Sequence, residues 1–455
     1  MVADANLIAM FTQRYGAFID PLPEDDSIAK FATWVPPQSR LGNQYNFPLQ
    51  GSLEHGQTAD VSGNVFNYNV DVPMTLVNAQ LDGFDWGMTA RIPYSDMLRA
   101  RNGVNQNGGG GAGSYFAPLD LKVKGLMRSS TLYRELWLTY GPGTGSTIAS
   151  DIGQLATTGF LVSGGANWNS ASTVVKLKTQ SWIPGMWNLM KNAKLEVLNV
   201  GGTALVGSAG QFIQIVGVPT SNVCNLSINS TTSTIVAAIA AQQRLIPFGW
   251  YQKCCIGLEG ILNNTGSLFG IDASLFNFWR ALQFPNGTTK LSRSIILGIC
   301  SQLFPNGLDQ GATLFVSSAQ FADLAEETQV VTQGSGATTN TAAVQVYTGE
   351  QTTKRIGTNK IVYVAPTGEV TVQLYKFMKQ GEAMLFGNGL VKRGGASDVT
   401  FKGDGNQYFL QEISGASGYE IRCISNQAVF IETPYQCAII SGISSTYDIG
   451  LASVV

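Results

Sequence analysis

Residues 257–304 read GLEGILNNTGSLFGIDASLFNFWRALQFPNGTTKLSRSIILGICSQLF, and the order of parts around this segment sets the architecture. Its last stretch predicts a helix over 291–303. A buried strand, ATLFV at 312–316, comes next, and a second helix is expected over 318–328. Upstream, Leu126, Met127, Tyr133, Leu136, Trp137 and Tyr140 recur near helical spacing, so 119–140 reads as a long helix stopped by Gly141, with Gly125 as its weak point. Between them, AKLEVLNVGG, QFIQIVGV and NVCNLSIN are strand-like and joined by Gly and Ser turns, which suggests an inserted β-rich subdomain over 160–232. The Ala- and Ile-rich run 233–245 reads as helical. Later strands are expected over 361–375, with a turn at Thr367 and Gly368, and over 421–440, with a turn at Asn426. The mixture is α+β.

At the amino-terminal side, residues 1–40 form an arm with one short amphipathic stretch, 7–18, broken by PLPEDD and then VPPQ. From 44 to 84 the pattern becomes strand-like, with Val65, Phe66, Tyr68, Val70 and Val72 in β-favouring runs. This reads as a long two-stranded excursion, and such a ribbon needs something to lie on.

Composition gives these pieces a common theme. The chain has 455 residues, about three times the 150-residue prior for a domain, with 44% apolar and 10% aromatic residues to build a core. Charged residues make up only 13%, 28 basic against 30 acidic, where about a quarter is usual. A surface of Gly, Asn, Gln, Ser and Thr with a formal charge of −2 stays dispersed most readily when other protein covers it, which makes assembly the first hypothesis. A secreted β-rich protein with sparse charge fits the same composition. Cys224, Cys254, Cys255, Cys300, Cys423 and Cys437 contain no C-x-x-C pair, so reduced, buried thiols are expected rather than a disulfide framework. MVADANLIAMFTQRY opens with an acid at Asp4 and lacks a basic n-region, which reads as cytoplasmic synthesis. The apolar runs fall short of the 18 or so residues a membrane span needs, and no membrane partner is expected.

Several chemistries are set aside by the same reading. Asp4, Asp20, Glu24, Asp25 and Asp26 outweigh Arg14 and Lys30 in the arm, and no Arg/Lys cluster occurs elsewhere, so contact with nucleic acid would be weak and sequence-blind. The single histidine, His55, lies between Gly51 and Gly56 in a loop and has no partner serine in a G-x-S-x-G elbow. LWLTYGPGTGST, 136–147, lacks the G-K-[ST] ending of a phosphate loop, and Gly141 with Pro142 more simply ends a helix. NQNGGGGAGS, 105–114, reads as a mobile loop. The pairs Asp25–Asp26 and Glu326–Glu327 read as solvated faces rather than glycosidase carboxylates. No catalytic, cofactor-binding or metal-ligating residue is assigned, and the chain is not expected to be an enzyme.

Within 257–304, G-x-x-G-I-L-N-N leads to Phe269-Gly270-Ile271-Asp272, Ser274 and Trp279, then to helix 291–303 and to LFVSSAQFADL at 314–324. This order resembles the major capsid proteins of tailed bacteriophages, the Hong Kong 97-like coat fold. VYVAPTGEVTVQLYKFMKQGEAMLF, 362–386, is similar to the strand, tight turn, strand and F-M-x-x-G-x-A of the same family. The resemblance covers roughly 250–440, with arm, ribbon and helix in matching order. It implies an N-terminal arm over 1–40, an extended loop over 41–85, a peripheral domain over 86–159 with spine helix 119–140, and an axial domain over 233–375. The chain would then return to the peripheral domain over 376–455, with 160–232 as an insertion.

A shell subunit of this kind would partner itself in hexamers and pentamers, with a scaffolding protein, a portal, possibly a decoration protein, and packaged double-stranded DNA held by weak non-specific contact. It would reside in the virion. Some relatives cross-link through a lysine on the extended loop; residues 41–84 contain neither Lys nor Arg, so no such cross-link is expected from this loop. Expected inter-subunit contacts are Phe11 and Tyr15 on the arm, Phe47, Leu53, Phe66 and Tyr68 on the ribbon, and Leu136 and Trp137 on the spine. Local core is an equal reading for each and the stronger one for the spine pair. An encapsulin-like compartment shares the fold and is the first alternative; a hydrolase built on His55 and a tail or adhesin component rank lower.

Overall fold

The structure, a computed structural model, describes residues 27–35, 44–59, 68, 70–95, 118–163, 173–208, 210–219, 224–230, 239–330, 360–401, 410–413, 415 and 417–448. Among them are five α-helices: α1 (Ser27–Phe31), α2 (Pro118–Tyr140), α3 (Leu258–Leu262), α4 (Arg293–Leu303) and α5 (Ser318–Val330). Proline starts α2 where a missing N–H costs nothing. The middle of this helix buries Leu126 and Ser130 and exposes Lys124, Gly125 and Met127, whereas residues 135–140 are buried all round, so the helix dives from a surface into the core. It stops at Gly141, because a Cβ there would stand 2.3 Å from the carbonyl oxygen of Cys255. The facing Gly257 is equally constrained, and its N–H donates to the Gly141 carbonyl at 2.9 Å.

Three larger sheets carry most of the rest, beside two two-stranded pairs. The first has seven strands and draws only on residues 153–247, in the order Gly153–Gln154, Arg244–Pro247, Lys194–Leu198, Ile213–Gly217, Asn225–Ser230, Thr173–Lys176, Leu161–Ser163. The strand-like segments of 160–232 are therefore strands. The described part of 233–245 is a turn followed by the start of the strand Arg244–Pro247, not a helix, because residues 244–247 pair one for one with Leu198 back to Leu195. The second sheet has six strands: Leu282–Pro285, Ala438–Ser441, Glu382–Gly387, Ala312–Val316, Gly368–Leu374 and Lys360–Ala365. It takes strands from both sides of residue 375. Ala312–Val316 is buried at every position, as a strand covered on both faces must be. Its Ala312, Leu314 and Val316 enter a core shared with α4 and α5, while Phe315 enters the core that holds α2 and the seven-stranded sheet. This sheet is the partition between two cores.

The third sheet joins Thr33–Trp34, Val391–Phe401, Gly418–Ile431 and Leu410–Glu412, with Phe84–Pro93 along the other side of Gly418–Ile431. Asn426 makes no turn: it sits mid-strand, and the irregularity falls on the partner strand, whose register slips on both sides of Ser397. An asparagine signals a turn only where its side chain serves its own backbone. Here Asn426 Oδ1 accepts from the Ala396 N–H at 3.2 Å and Nδ2 donates to Asp85 at 2.6 Å, stitching both neighbouring strands. All six cysteines are buried and none is in a disulfide, as the spacing suggested.

Candidate assembly site

The ribbon is a two-stranded antiparallel pair, Gln44–Gln50 with Leu76–Asp82, in register from Gln44 opposite Asp82 to Gln50 opposite Leu76. Its inward face follows the two-residue period, with Phe47 and Leu49 half-buried and Val77, Ala79 and Leu81 turned to the core. Phe47 stacks on Phe430 of its own chain at 4.4 Å. The base is anchored by the FGID motif. Ser267–Leu268 and Ile271–Asp272 form a minimal hairpin through Phe269 and Gly270, both at positive φ (54° and 82°). The carbonyl of Phe269 accepts from the Gln80 N–H of the ribbon at 2.8 Å. Trp279 is buried beneath and donates its indole N–H to the Leu268 carbonyl at 2.9 Å, while Asp272 accepts from the Ser274 N–H at 2.8 Å, which holds its carboxyl below the usual aspartate range.

Past Gln50 the regular pairing ends. The chain is held there by sparse hydrogen bonds such as His55 N–H to the Val72 carbonyl at 3.1 Å. In this outer part Leu53, Tyr68 and Val70 are 67%, 85% and 89% exposed, and Val72, Met74 and Leu76 are exposed beside them. Tyr68, Val70 and Val72 are not in a strand, although their residue types favour one, since no neighbouring strand pairs with them in the described residues. The result is a run of exposed apolar side chains, and apolar surface gathered in one place marks an interaction surface.

The interior also holds a buried charge cluster. Lys379 Nζ is 2.7 Å from Glu259, 3.7 Å from Asp151 and 3.8 Å from Glu382, and stands 4.8 Å over the Tyr140 ring. Burial alone would push the ammonium down, but Glu259, Glu382 and Asp151 hold its pKa well above the usual lysine value. Burial raises Glu259 well above the usual carboxylate range, and raises Glu382 too, with repulsion between the crowded carboxyls adding to Glu259's shift. Tyr140, at the end of α2, donates its hydroxyl to the Phe377 carbonyl at 2.9 Å and accepts from the Lys379 N–H at 3.0 Å. FMKQGE, the segment of the family-like motif, thus fastens α2 and α3 to the strand Glu382–Gly387. Gly381 in it leaves no room for a Cβ, which would stand 2.5 Å from that of Gln180.

The arm side is fixed by one more buried acid. Glu135 on α2 accepts from the backbone N–H of Ile28 (3.2 Å) and Ala29 (2.9 Å), capping α1, and from the Tyr375 hydroxyl at 3.2 Å. After α1, Thr33–Trp34 pairs in parallel with Lys392 and Arg393.

Of the residues expected at subunit contacts, Leu53 and Tyr68 are exposed on the projection. Phe47 is committed mainly to Phe430, and Phe11, Tyr15 and Phe66 lie outside the described residues. Leu136 and Trp137 are 0% exposed and have no surface to offer a neighbour, which leaves the core reading, the stronger of the two for the spine pair, and removes them from the expected contacts. Sequence reasoning did not single out Lys379, Glu259, Glu382 or Glu135. The available signal was weak: Lys379 directly follows Phe377 and Met378, and Glu135 directly precedes Leu136 and Trp137, so each charge abuts an apolar pair.

No family model matches the chain, and no curated protein matches it. Solved structures do. The capsid asymmetric unit of cyanophage A-1(L) superposes with a TM-score of 0.50 at 8% identity, over 95% of this chain and 97% of that one. The chain therefore has the α+β capsid fold of the Hong Kong 97 type. The capsid of a native GTA particle matches at TM-score 0.44 and 6% identity over 95% of both chains. An encapsulin complex from Synechococcus elongatus PCC 7942, holo-SrpI, matches at 0.39 and 7% over 98% of both.

Proposed function

We propose that this chain is a major capsid protein: a structural subunit, not an enzyme, that self-assembles into the icosahedral head of a tailed phage around double-stranded DNA. The observation that carries the reading is the ribbon, anchored at its base and projecting exposed leucine, tyrosine and valine side chains, on a fold shared end to end with a cyanophage capsid subunit. Laid over an adjacent copy, such a projection turns apolar surface into interface, and heterologous contacts repeated about five-fold and six-fold axes close into pentamers and hexamers. Permanent interfaces of this kind bury about 2,000–5,000 Å². Charge-poor surface is then no liability, and a nearly neutral wall binds packaged DNA only weakly and without sequence preference.

Residues 41–85 serve as the extended loop, α2 as the spine, the six-stranded sheet with α4 and α5 as the body of the axial domain, and the sheet of residues 153–247 as the insertion. A scaffolding protein, a portal and a decoration protein complete the particle, and the virion is its location. Electron microscopy of the purified full-length chain tests the proposal. Closed shells are expected, and a stable, well-folded monomer at micromolar concentration rejects it. Shells purified from cells that hold folded cargo enzyme in place of DNA transfer the chain to the encapsulin-like compartments.

A further inference from the structure

Residues 441–448 run back along the loop 286–290 and helix α5. The Asn286 N–H donates to the Ser441 carbonyl at 2.7 Å, Thr288 to Gly442 at 2.8 Å, and Ser444 to Thr289 at 3.0 Å. The next residues grip α5: Ser445 Oγ donates to the Ala319 carbonyl (3.3 Å), Thr446 Oγ1 to Asp323 Oδ1 (3.5 Å), and Tyr447 Oη to Glu326 (3.4 Å). Two features of this contact are costly. Gly287 and Thr288 both sit at positive φ, 62° and 65°, the second a conformation that a β-branched residue seldom adopts. Asp323 and Asp448 are both buried, 4% and 5% exposed, and each keeps one carboxyl oxygen (Asp323 Oδ2, Asp448 Oδ1) without a hydrogen-bond partner.

The charges facing this pair do not balance it. Lys290, half-exposed, reaches Asp323 Oδ1 at 3.3 Å, and the Ser445 N–H donates to Asp448 Oδ2 at 2.8 Å. Glu326 and Glu327 lie on the same helix; Glu327 accepts from the Arg293 N–H at 2.9 Å, and the Arg293 guanidinium stands over the Tyr363 ring. With Asp448 ionised, two buried carboxylates answer to one partly solvated ammonium, and an orphaned oxygen has nothing to accept from.

We propose that residues 444–448 form a proton-operated latch, closed on α5 while Asp448 is protonated beside the buried Asp323 carboxyl and loosened when Asp448 ionises. Burial, opposed by the Ser445 N–H and reinforced by the charge of Asp323, pushes the Asp448 carboxyl up to about 6 from its ordinary 3.8. The sign follows from that direction. A released tail titrates near 3.8 and the closed one near 6, so the closed state holds more protons across that window and loses its grip as pH rises through about 6. A gap of this size is worth about 100-fold in the opening equilibrium. The latch belongs to the folded chain and does not depend on the shell reading.

Hydrogen exchange of the full-length protein, followed by mass spectrometry on peptides covering 441–448 and corrected for the intrinsic pH dependence of exchange, tests it. Protection is expected to fall between pH 5 and pH 7.5 with a midpoint near 6, while peptides from α2 stay level. Asp448→Asn is expected to keep the tail protected at both pH values, and Asp323→Asn, which removes the repelling charge, to flatten the same slope. A wild-type tail equally protected at both ends overturns the latch. So does Asp448→Asn with an unchanged slope, or Asp448→Asn with a tail unprotected throughout.

Discussion

Lys379, itself buried, answers three carboxylates, and the two sides of that cluster respond oppositely to mutation. Lys379→Met strands Glu259, Glu382 and Asp151 without a counter-charge, and removing one member of a buried pair costs about 3–5 kcal/mol. Chemical denaturation at pH 7 should register that loss, and the loss should shrink on acidification as the carboxyls take up protons. Glu382→Gln removes the excess charge and leaves the Lys379–Glu259 pair at 2.7 Å intact. Because Glu259 and Glu382 are raised above 4.5 in the folded chain, their contribution is fully present below that value and is lost as pH climbs through the raised ones. Thermal unfolding of the wild type should therefore lose ground with rising pH relative to Glu382→Gln; parallel curves would refute the assignment. Glu135→Ala leaves the Ile28 and Ala29 amides without their buried acceptor, at about 2–4 kcal/mol, and should free the segment 27–35 to exchange.

Among the elements, α2 owes its length to what it meets at each end. At its exit, Gly141 and Gly257 cross with no space for a methyl group, so Gly141→Ala or Gly257→Ala must push backbone apart, and a cost of about 3 kcal/mol or more is expected from equilibrium unfolding. Gly125, exposed and with nothing near its missing Cβ, is the opposite case: Gly125→Ala should stabilise by about 0.5–1 kcal/mol. Such elements were legible because their determinants are local. Helix α4, helix α5, the strand Ala312–Val316 and the hairpin across Thr367 and Gly368 declare themselves through spacing within ten or so residues. Asn426 misled because its side chain serves strands far away in sequence, one of them 341 residues distant. The charge cluster was illegible for the same reason: Lys379 finds Glu259 only across 120 residues, and no local pattern encodes that meeting. The ribbon's existence was readable from its β-favouring runs, but that Tyr68, Val70 and Val72 lie outside a strand was not, since propensity does not report tertiary pairing.

For the whole molecule, two cores share a sheet as their common wall; the paired base of the ribbon packs on one of them, and its outer part past Gln50 is exposed. The projection should therefore be separable from stability. Replacing Leu53, Tyr68 and Val70 together with serine is expected to leave thermal unfolding of the subunit within a degree or two of wild type, since those side chains are already in water. Particle yield by sedimentation should fall to background. Undiminished particles from the triple variant would remove the ribbon from the assembly argument. The threading of the amino-terminal segment carries a different consequence. Thr33–Trp34 pairs with Lys392–Arg393, and Phe84–Pro93 with Gly418–Gln427, so neither can reach its place until nearly all of the chain has left the ribosome. At about 5–20 residues per second, the early segments wait for tens of seconds, while the sheet built from 153–247 has every strand it needs soon after it emerges. A nascent subunit is thus foldable in its middle and unfinished at its edges, so its late strands close the fold only as translation ends.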